Sequence, residues 1–169
     1  MCSSDLNATK ALIKAVMEAQ MFCEDPANRE EVARICAKRR WINAPFEDIV
    51  DRMRGDFDYG TGRVVENSPQ QMRYWKDQAS YPFQSHDLWF LPENIRWGYL
   101  PKAFDMKGWV GKVNREDLWR QAAQELGVAA SDIPASTSRG VETFFDGKVF
   151  DPANPQAYLD SLAIKTLRG

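Results

Sequence analysis

The sequence lacks several features that would assign it at once to a common class of protein. No apolar run approaches the 18 or so residues that a membrane-spanning helix needs. Neither sign of charge is in excess, since 22 Lys and Arg oppose 24 Asp and Glu, which argues against nucleic-acid binding through a basic face. A single histidine excludes zinc sites built from several histidines. The three cysteines, Cys2, Cys23 and Cys36, include no close pair and predict neither a disulfide framework nor a zinc site.

The composition is that of a globular protein rich in aromatic residues. Apolar residues make up 44% and charged residues 27% of the 169 positions, which excludes disorder throughout the chain. There are 9 Phe, 6 Trp and 5 Tyr, more aromatic side chains than a core of this size needs. No repeat, low-complexity run or flexible linker divides the chain, so the sequence predicts one unit.

Apolar residues recur at helical spacing along most of the chain. The helices predicted in this way cover about 7–22, 28–40, 45–54, 68–75, 85–99 (one helix, or two turns broken at Pro92), 114–127, and a last segment from Asn154. Their starts carry capping residues: Asn7 or Thr9, Asn28 with Glu31 as a capping box, and Asn114 with Asp117 as its reciprocal partner.

Only one segment indicates β structure clearly. Thr143-Phe144-Phe145 and Lys148-Val149-Phe150 flank Asp146-Gly147, the pattern of a hairpin with a two-residue turn. A lone hairpin is marginal in water, so it must lie on helices or join strands from elsewhere. The predicted class is mostly α, with one short β-hairpin.

Two segments invite a chemical interpretation. Ser85, His86 and Asp87 have the residue types of a catalytic triad, but such a triad is defined in space, and three neighbours in sequence cannot adopt it. Asp56, Asp58, Gly60 and Glu66 suggest a calcium loop, but the glycine comes too early and position twelve is Asn67. A helix N-cap and a solvated turn are the simpler interpretations.

Three weaker patterns remain. Gly60-Thr61-Gly62 begins like a dinucleotide fingerprint without its third glycine. The six tryptophans, at 41, 75, 89, 97, 109 and 119, favour packing over base stacking because no basic track accompanies them. Ser136-Thr137-Ser138-Arg139-Gly140 offers hydroxyls and a guanidinium to an oxyanion, but a plain loop explains it as well. The residues therefore predict no catalytic site, no metal site and no cofactor.

Several stretches taken together resemble the C-terminal part of the nitrate- and bicarbonate-binding solute receptors of ABC importers. The resemblance is collinear, with near-constant spacing, and extends over essentially the whole chain after Leu6. The stretches that carry it are 8–11, 16–20, 57–60, 63–69, 74–77, 85–90, 95–100, 113–119 and 134–147. Among them are Phe57-Asp58-Tyr59-Gly60 and Ile95-Arg96-Trp97-Gly98-Tyr99-Leu100.

The resemblance implies the C-terminal part of a two-lobed α/β fold of the periplasmic-binding-protein type, closing on a small oxyanion. Nitrate or nitrite is the first expectation and bicarbonate the second, with the membrane subunits of the importer as partners and no nucleic acid. It implies a periplasmic protein associated with the inner membrane, and no enzyme activity. A cytoplasmic nitrate sensor or the regulatory tail of a nitrate-transporter ATPase is the alternative; an enzyme using His86 is a more distant one. No ligand-binding residue is carried onto this chain, because the anion contacts are expected upstream.

The predicted domain organisation follows from the same resemblance. Residues 1–6 are expected to be a non-native leader, and residues 7–169 the C-terminal portion of an ABC-importer solute-binding domain. Because this chain supplies almost no strand, its helices are expected to cover a sheet contributed by another part of the receptor. The isolated chain should then expose apolar faces and bind dyes that report them.

Overall fold

The computed structural model describes residues 5–163, and the chain divides into two compact units, Met1–Ser80 and Tyr81–Gly169. The sequence shows no linker or change of composition at this boundary, and the division therefore has no counterpart in the sequence analysis. The predicted leader lies partly outside the described residues, since residues 1–4 are not among them. The boundary between residues 6 and 7 stays a prediction.

The first unit is a set of helices followed by a short hairpin. Its helices are α1 Leu6–Glu24, α2 Arg29–Ala37 and α3 Glu47–Arg54, with 3-10 turns at Pro26–Asn28 and Lys76–Gln78. Strands β1 Phe57–Asp58 and β2 Val64–Val65 pair antiparallel, with Phe57 opposite Val65. One small core lies between α2 and α3, where Ala33, Ile49 and Val50 are buried.

Helix α3 forms where the sequence predicted it. Phe46, Ile49, Val50 and Met53 lie on its inner side and pack against the small core, as their spacing requires. Gly55 ends the helix in the left-handed region, at φ 94°, where a side chain would be strained.

The predicted caps at the first two helices were wrong. Asp5, rather than Asn7 or Thr9, caps α1, because its Oδ1 accepts a hydrogen bond from the Ala8 N–H at 3.1 Å. Asn28 forms no capping box with Glu31; its Nδ2 donates instead to the Phe22 carbonyl at 3.0 Å. In the first case the Asp5 carboxylate takes the capping position, and in the second the Asn28 side chain is engaged by a carbonyl of the preceding helix.

The helix predicted for residues 68–75 does not form. The Ser68 Oγ accepts from the Gln70 N–H at 3.2 Å, which closes a local turn in place of a helical start. The next N–H groups, of Tyr74, Trp75 and Lys76, donate to the Glu24 carboxylate. The Glu24 carboxylate, about 50 residues away in sequence, thus takes the place of the backbone carbonyls that would accept these hydrogen bonds in a helix.

The second unit contains four helices and another hairpin among its described residues. The helices are α4 Gln84–Arg96, α5 Met106–Val113, α6 Glu116–Glu125 and α7 Pro155–Ser161, with a 3-10 turn at Ala130–Asp132. Strands β3 Glu142–Thr143 and β4 Val149–Phe150 pair antiparallel. The core holds residues of α4, α5, α7 and β4: Leu88, Leu91, Ile95, Val110, Phe150, Tyr158, Leu159 and Leu162.

Several features of these helices decide or correct the sequence prediction. Pro92 lies inside α4 and is buried, so the segment is one unbroken helix to Arg96, the first of the two predicted alternatives. Helix α5 was missed, since Gly108 and Gly111 weaken its pattern; Asp105 caps it by accepting from the Gly108 N–H at 3.0 Å. The predicted cap of α6 was wrong as well: Arg115, rather than Asn114, is its N-cap and makes no side-chain capping bond. The Asn114 Oδ1 accepts from the Glu116 N–H, and Asp117 pairs with Arg115 and does not reciprocate.

The predicted hairpin at 143–150 exists with a different turn. Thr143 pairs with Val149, the Phe144 N–H donates to the Lys148 carbonyl, and the Gly147 N–H donates to the Phe144 carbonyl. The loop therefore has three residues, with Gly147 at φ 78°, the geometry of a type I turn closed by a left-handed residue. Phe144 and Phe150 pack on the core of helices α4 and α7, so the hairpin lies on helices, one of the two expected solutions.

The predicted fold class is confirmed as mostly helical, but the expectation of one hairpin was wrong. Strands β1 and β2 form a second two-stranded sheet, in a segment where the sequence showed no clear β pattern. Across residues 5–163, no helix combines the length and apolar character needed to cross a lipid bilayer.

Candidate functional site

Ser85, His86 and Asp87 begin helix α4, and their side chains serve three different partners. The Ser85 Oγ accepts from the Arg139 N–H at 3.2 Å. The Asp87 Oδ2 accepts from the Asn114 Nδ2 at 2.9 Å, and the His86 Nε2 lies 3.3 Å from the Glu142 Oε1. The three groups therefore form no triad, and the enzyme hypothesis loses the geometry it needed.

Glu142 lies at the centre of this region. Its Oε1 is 3.3 Å from the His86 Nε2 and 3.8 Å from the Arg139 Nε. A half-open cavity of about 270 Å³ adjoins it, lined by Ser85, His86, Trp89, Phe90, Glu142, Phe144 and Phe150. The walls are mainly aromatic, and the one acidic side chain among them disfavours an anion. This cavity is therefore not suited to hold nitrate.

The loop at 136–140 was the sequence candidate for an oxyanion site, and its polar groups are already engaged. The Ser138 N–H donates to the Ser136 Oγ and the Gly140 N–H to the Ser138 Oγ, both at 3.0 Å. The Arg139 N–H donates to Ser85, and its guanidinium lies 3.8 Å from Glu142. Three successive backbone donors are thus satisfied internally, and the half-exposed Arg139 guanidinium lies beside the Glu142 carboxylate, which disfavours an anion. The loop therefore anchors the start of α4 and is not an open anion cradle.

The suspected calcium loop carries turn-forming bonds. The Asp58 Oδ1 accepts from the Gly60 N–H at 2.8 Å, and the Asp56 Oδ1 accepts from the Asn67 N–H at 3.0 Å. Within residues 5–163 no three acidic, histidine or cysteine side chains are grouped so that they could hold a metal ion. Gly60 and Gly62 lie in the loop between β1 and β2, where both have positive φ and no helix follows, unlike a dinucleotide fingerprint.

The tryptophans do not gather into one platform. Trp119 is buried and meets Tyr81 edge to face, with ring centroids 5.0 Å apart. Trp89 packs partly buried beside Phe144, whereas Trp41, Trp97 and Trp109 are exposed. Some tryptophans therefore serve the core, as predicted, and others stay on the surface.

Sequence analysis missed the most heavily used carboxylate in the first unit. The Glu24 Oε2 accepts from three backbone donors, the N–H groups of Tyr74, Trp75 and Lys76, at 2.7, 2.8 and 3.3 Å. Burial by itself raises the pKa of Glu24, but the three donors outweigh it and hold the pKa below its usual value. No local sequence pattern predicts these hydrogen bonds, because donor and acceptor lie about 50 residues apart in sequence.

Glu116 plays a similar part in the second unit. The Tyr81 hydroxyl donates to its Oε2 at 2.7 Å. Burial and this hydrogen bond raise the pKa of Tyr81 to about 12. The arrangement ties the first residue of the unit to the start of α6, so it supports the fold and offers no group to a ligand.

Comparison with known proteins shows which proteins this chain is similar to. No protein-family model matches it. The nitrate/nitrite binding protein NrtA of a Synechocystis strain is 59% identical over 162 residues, which are 95% of this chain and 36% of that protein. The crystal structure of the periplasmic nitrate-binding protein NrtA from Synechocystis superposes with a TM-score of 0.88, over 93% of this chain and 41% of the other. The chain is homologous to part of these nitrate-binding proteins.

The match extends to a second kind of binding protein. The bicarbonate-binding protein CmpA of Synechococcus elongatus is 43% identical over 166 residues and is covered to 37% of its length. The chain thus spans little more than a third of the relatives it matches, and it corresponds to a C-terminal part of the nitrate-binding protein fold. The predicted resemblance is confirmed, and so is the placing of the chain within a larger fold.

Proposed function

We propose that this chain is the C-terminal part of the solute-binding component of an ABC importer for a small oxyanion. Nitrate or nitrite is the proposed solute, because the nitrate/nitrite-binding relatives are 52–59% identical and the bicarbonate-binding relative is 43% identical. The observation that carries the proposal is this identity over 94–95% of the chain, together with the superposition on a solved nitrate-binding protein.

Residues 7–169 are the proposed portion of the solute-binding domain, and residues 1–6 the proposed leader. In the complete receptor, the two lobes close around the anion because the closed state binds it more tightly. Selectivity comes from N–H donors and cations converging on a planar anion. We place those contacts outside this chain, in keeping with the internal satisfaction of the 136–140 loop and the acidic lining of the Glu142 cavity.

The proposed partners and compartment follow from the same relatives. The receptor delivers its anion to the membrane subunits of the importer and acts in the periplasm, at the inner membrane. The solved relative is described as periplasmic, which supports the compartment. Binding without catalysis is proposed, in line with the relatives' names as binding proteins.

The regulatory alternative has weaker support. The nitrate import ATP-binding proteins NrtC are 29% identical to this chain over 154–157 residues, and the chain covers 22% of their length. The nitrate/nitrite-binding relatives are about twice as similar, so the chain fits the receptor better than the regulatory region of an ATPase.

A chimera tests the proposal directly. In it, this chain replaces the matched region of the Synechocystis nitrate/nitrite binding protein, and the product is titrated calorimetrically with nitrate, nitrite and bicarbonate. We expect the chimera to bind nitrate and nitrite within about tenfold of the parent protein, and bicarbonate more weakly. A folded chimera that binds none of the three anions, beside a parent that does, contradicts the proposal; one that prefers bicarbonate reassigns the solute.

A further inference from the structure

One side of helix α1 is held to its own unit. Met17 on that side is 1% exposed. The Gln20 Oε1 accepts from the Ser80 hydroxyl at 2.5 Å, and Glu24 accepts from the three backbone N–H groups at 74–76. Positions 17, 20 and 24 are spaced by three and four residues, so they lie on one face of the helix.

A second face of the same helix is apolar and exposed. It consists of seven residues at helical spacing, all of them exposed, which we call the α1 stripe: Ala8, Ala11, Leu12, Ala15, Val16, Ala19 and Phe22. Leu12 is 66%, Val16 49% and Phe22 39% exposed. At a rise of 1.5 Å per residue the stripe is about 21 Å long. The charged residues Lys10, Lys14 and Glu18 lie on a third side of the helix and do not interrupt it.

The composition of the stripe is that of a packing surface. A solvated helix face carries polar residues, whereas this one alternates large apolar side chains with alanines. Alanine lets another backbone approach closely, and Leu12, Val16 and Phe22 supply apolar area that is removed from water only if a partner covers it.

We propose that the α1 stripe is the docking surface for the rest of the receptor polypeptide, the part that corresponds to the relatives' sequence outside the match. This inference rests on the proposed function. The match covers 36% of the nitrate/nitrite-binding relative, which leaves 100 − 36 = 64% of that protein's length to provide a covering lobe. The match extends over 95% of this chain, so the proposed partner is the part of the receptor polypeptide that corresponds to the relative's sequence outside the match.

Two variants with equal change of charge test this docking. Leu12→Lys with Val16→Lys places two cations on the stripe, a change of +2. Glu18→Lys is the control, because it also changes the charge by +2, on the same helix but on its charged side. Both are made in the isolated 169-residue chain and in the chimera, and thermal unfolding is followed by circular dichroism.

We expect the double variant to lower the unfolding midpoint of the chimera by at least about 5 °C and to leave that of the isolated chain unchanged, since the stripe is covered only in the chimera. The control should change neither midpoint by more than about 1 °C. Equal midpoints for the wild-type and doubly substituted chimera overturn the proposal, as does a chimera that fails to fold. The proposal is also overturned if the double substitution lowers the unfolding midpoint of the isolated chain alone, by an amount that depends on protein concentration. That result assigns the stripe to contact with a second copy of the chain.

Anion titration of the same chimeras separates the two proposals. A chimera that shows the expected loss of midpoint but binds no anion supports the docking surface and contradicts the proposed function. A chimera that binds nitrate, but whose unfolding midpoint is unchanged by the double substitution, supports the proposed function and contradicts the docking surface.

Discussion

At the scale of single residues, the folded state depends on carboxylates whose partners lie far away in sequence. Glu24 ends helix α1 and receives three backbone N–H groups from residues 74–76. It does so at the C-terminal end of a helix, where a negative charge is electrostatically unfavourable. The three charge-assisted hydrogen bonds outweigh that cost, and they fix a segment that the sequence predicted to be helical.

The Glu24 carboxylate should make the stability of the chain depend on acid pH. The pKa of Glu24 is lowered in the folded state, so its contribution is complete above the usual carboxyl pKa of about 4.3 and is lost as pH falls through the lower, folded value. We expect Glu24→Gln to cost about 1 kcal/mol at pH 7, because the amide oxygen accepts the same bonds more weakly. Urea unfolding at pH 7, 5, 4 and 3 measures the difference between wild type and variant, which should shrink with acidification.

The matched control for this change is Glu18→Gln, which removes an exposed carboxylate from the same helix. It should alter the free energy of unfolding by less than about 0.5 kcal/mol at every pH. A Glu24→Gln penalty that is as large at pH 3 as at pH 7 would show that the three hydrogen bonds do not need the ionised form.

At the scale of elements, sequence reasoning succeeded where the deciding interactions were local. Helix α3 carries its core residues and its terminal glycine within about ten positions, and it forms where the sequence predicted it. Helix α7 likewise follows Asn154, where a helix was predicted to start, and Asn154 caps it by accepting from the Ala157 N–H. Two of the failures involve contacts from distant parts of the chain. The segment after Ser68 is fixed by Glu24 from about 50 residues away, and α5 packs through Val110 into a core built by other elements.

Gly147 in the β3–β4 hairpin loop and Gly111 in helix α5 form a matched pair for a prediction at the scale of elements. Gly147 has φ 78°, and a Cβ there meets nothing within 4 Å; Gly111 lies in α5, without a positive φ, and a Cβ there also meets nothing. Gly147→Ala should therefore destabilise the chain by about 1 kcal/mol through backbone strain alone. Gly111→Ala should stabilise it by about 0.5–1 kcal/mol, because alanine favours the helix.

Chemical denaturation of both variants under one condition checks the pair. If Gly147→Ala is neutral, the loop is not the three-residue turn described above, and the two-residue turn expected from Asp146-Gly147 has to be reconsidered. If Gly111→Ala is destabilising, the exposed side of α5 is not open to solvent as its surroundings indicate.

At the scale of the whole molecule, the sequence predicted which proteins the chain resembles but not the geometry of any site. The resemblance rested on collinear stretches, and the comparisons confirm it. The candidate residues fared differently, because each was a local pattern whose meaning depended on distant partners. His86 meets Glu142, and the hydroxyls of Ser136 and Ser138 accept from backbone N–H groups of their own loop, so neither candidate forms the site it suggested. Contacts between residues that lie 50 or more positions apart cannot be predicted from a local sequence pattern.

The exposed apolar surface of the chain provides the last prediction. Besides the α1 stripe, the β3–β4 hairpin carries Val141, Phe145 and Val149 exposed, and Phe145 is fully so. A dye such as anilinonaphthalene sulfonate becomes fluorescent on apolar patches of this kind. We expect the isolated chain to enhance its fluorescence at neutral pH while the chain is folded, and the chimera to do so less per molecule. Leu12→Lys with Val16→Lys should lower the signal of the isolated chain, and Glu18→Lys should not. An isolated chain that melts sharply as a monomer and gives no enhancement would show that its apolar residues are too scattered to form a surface that another part of a receptor could cover.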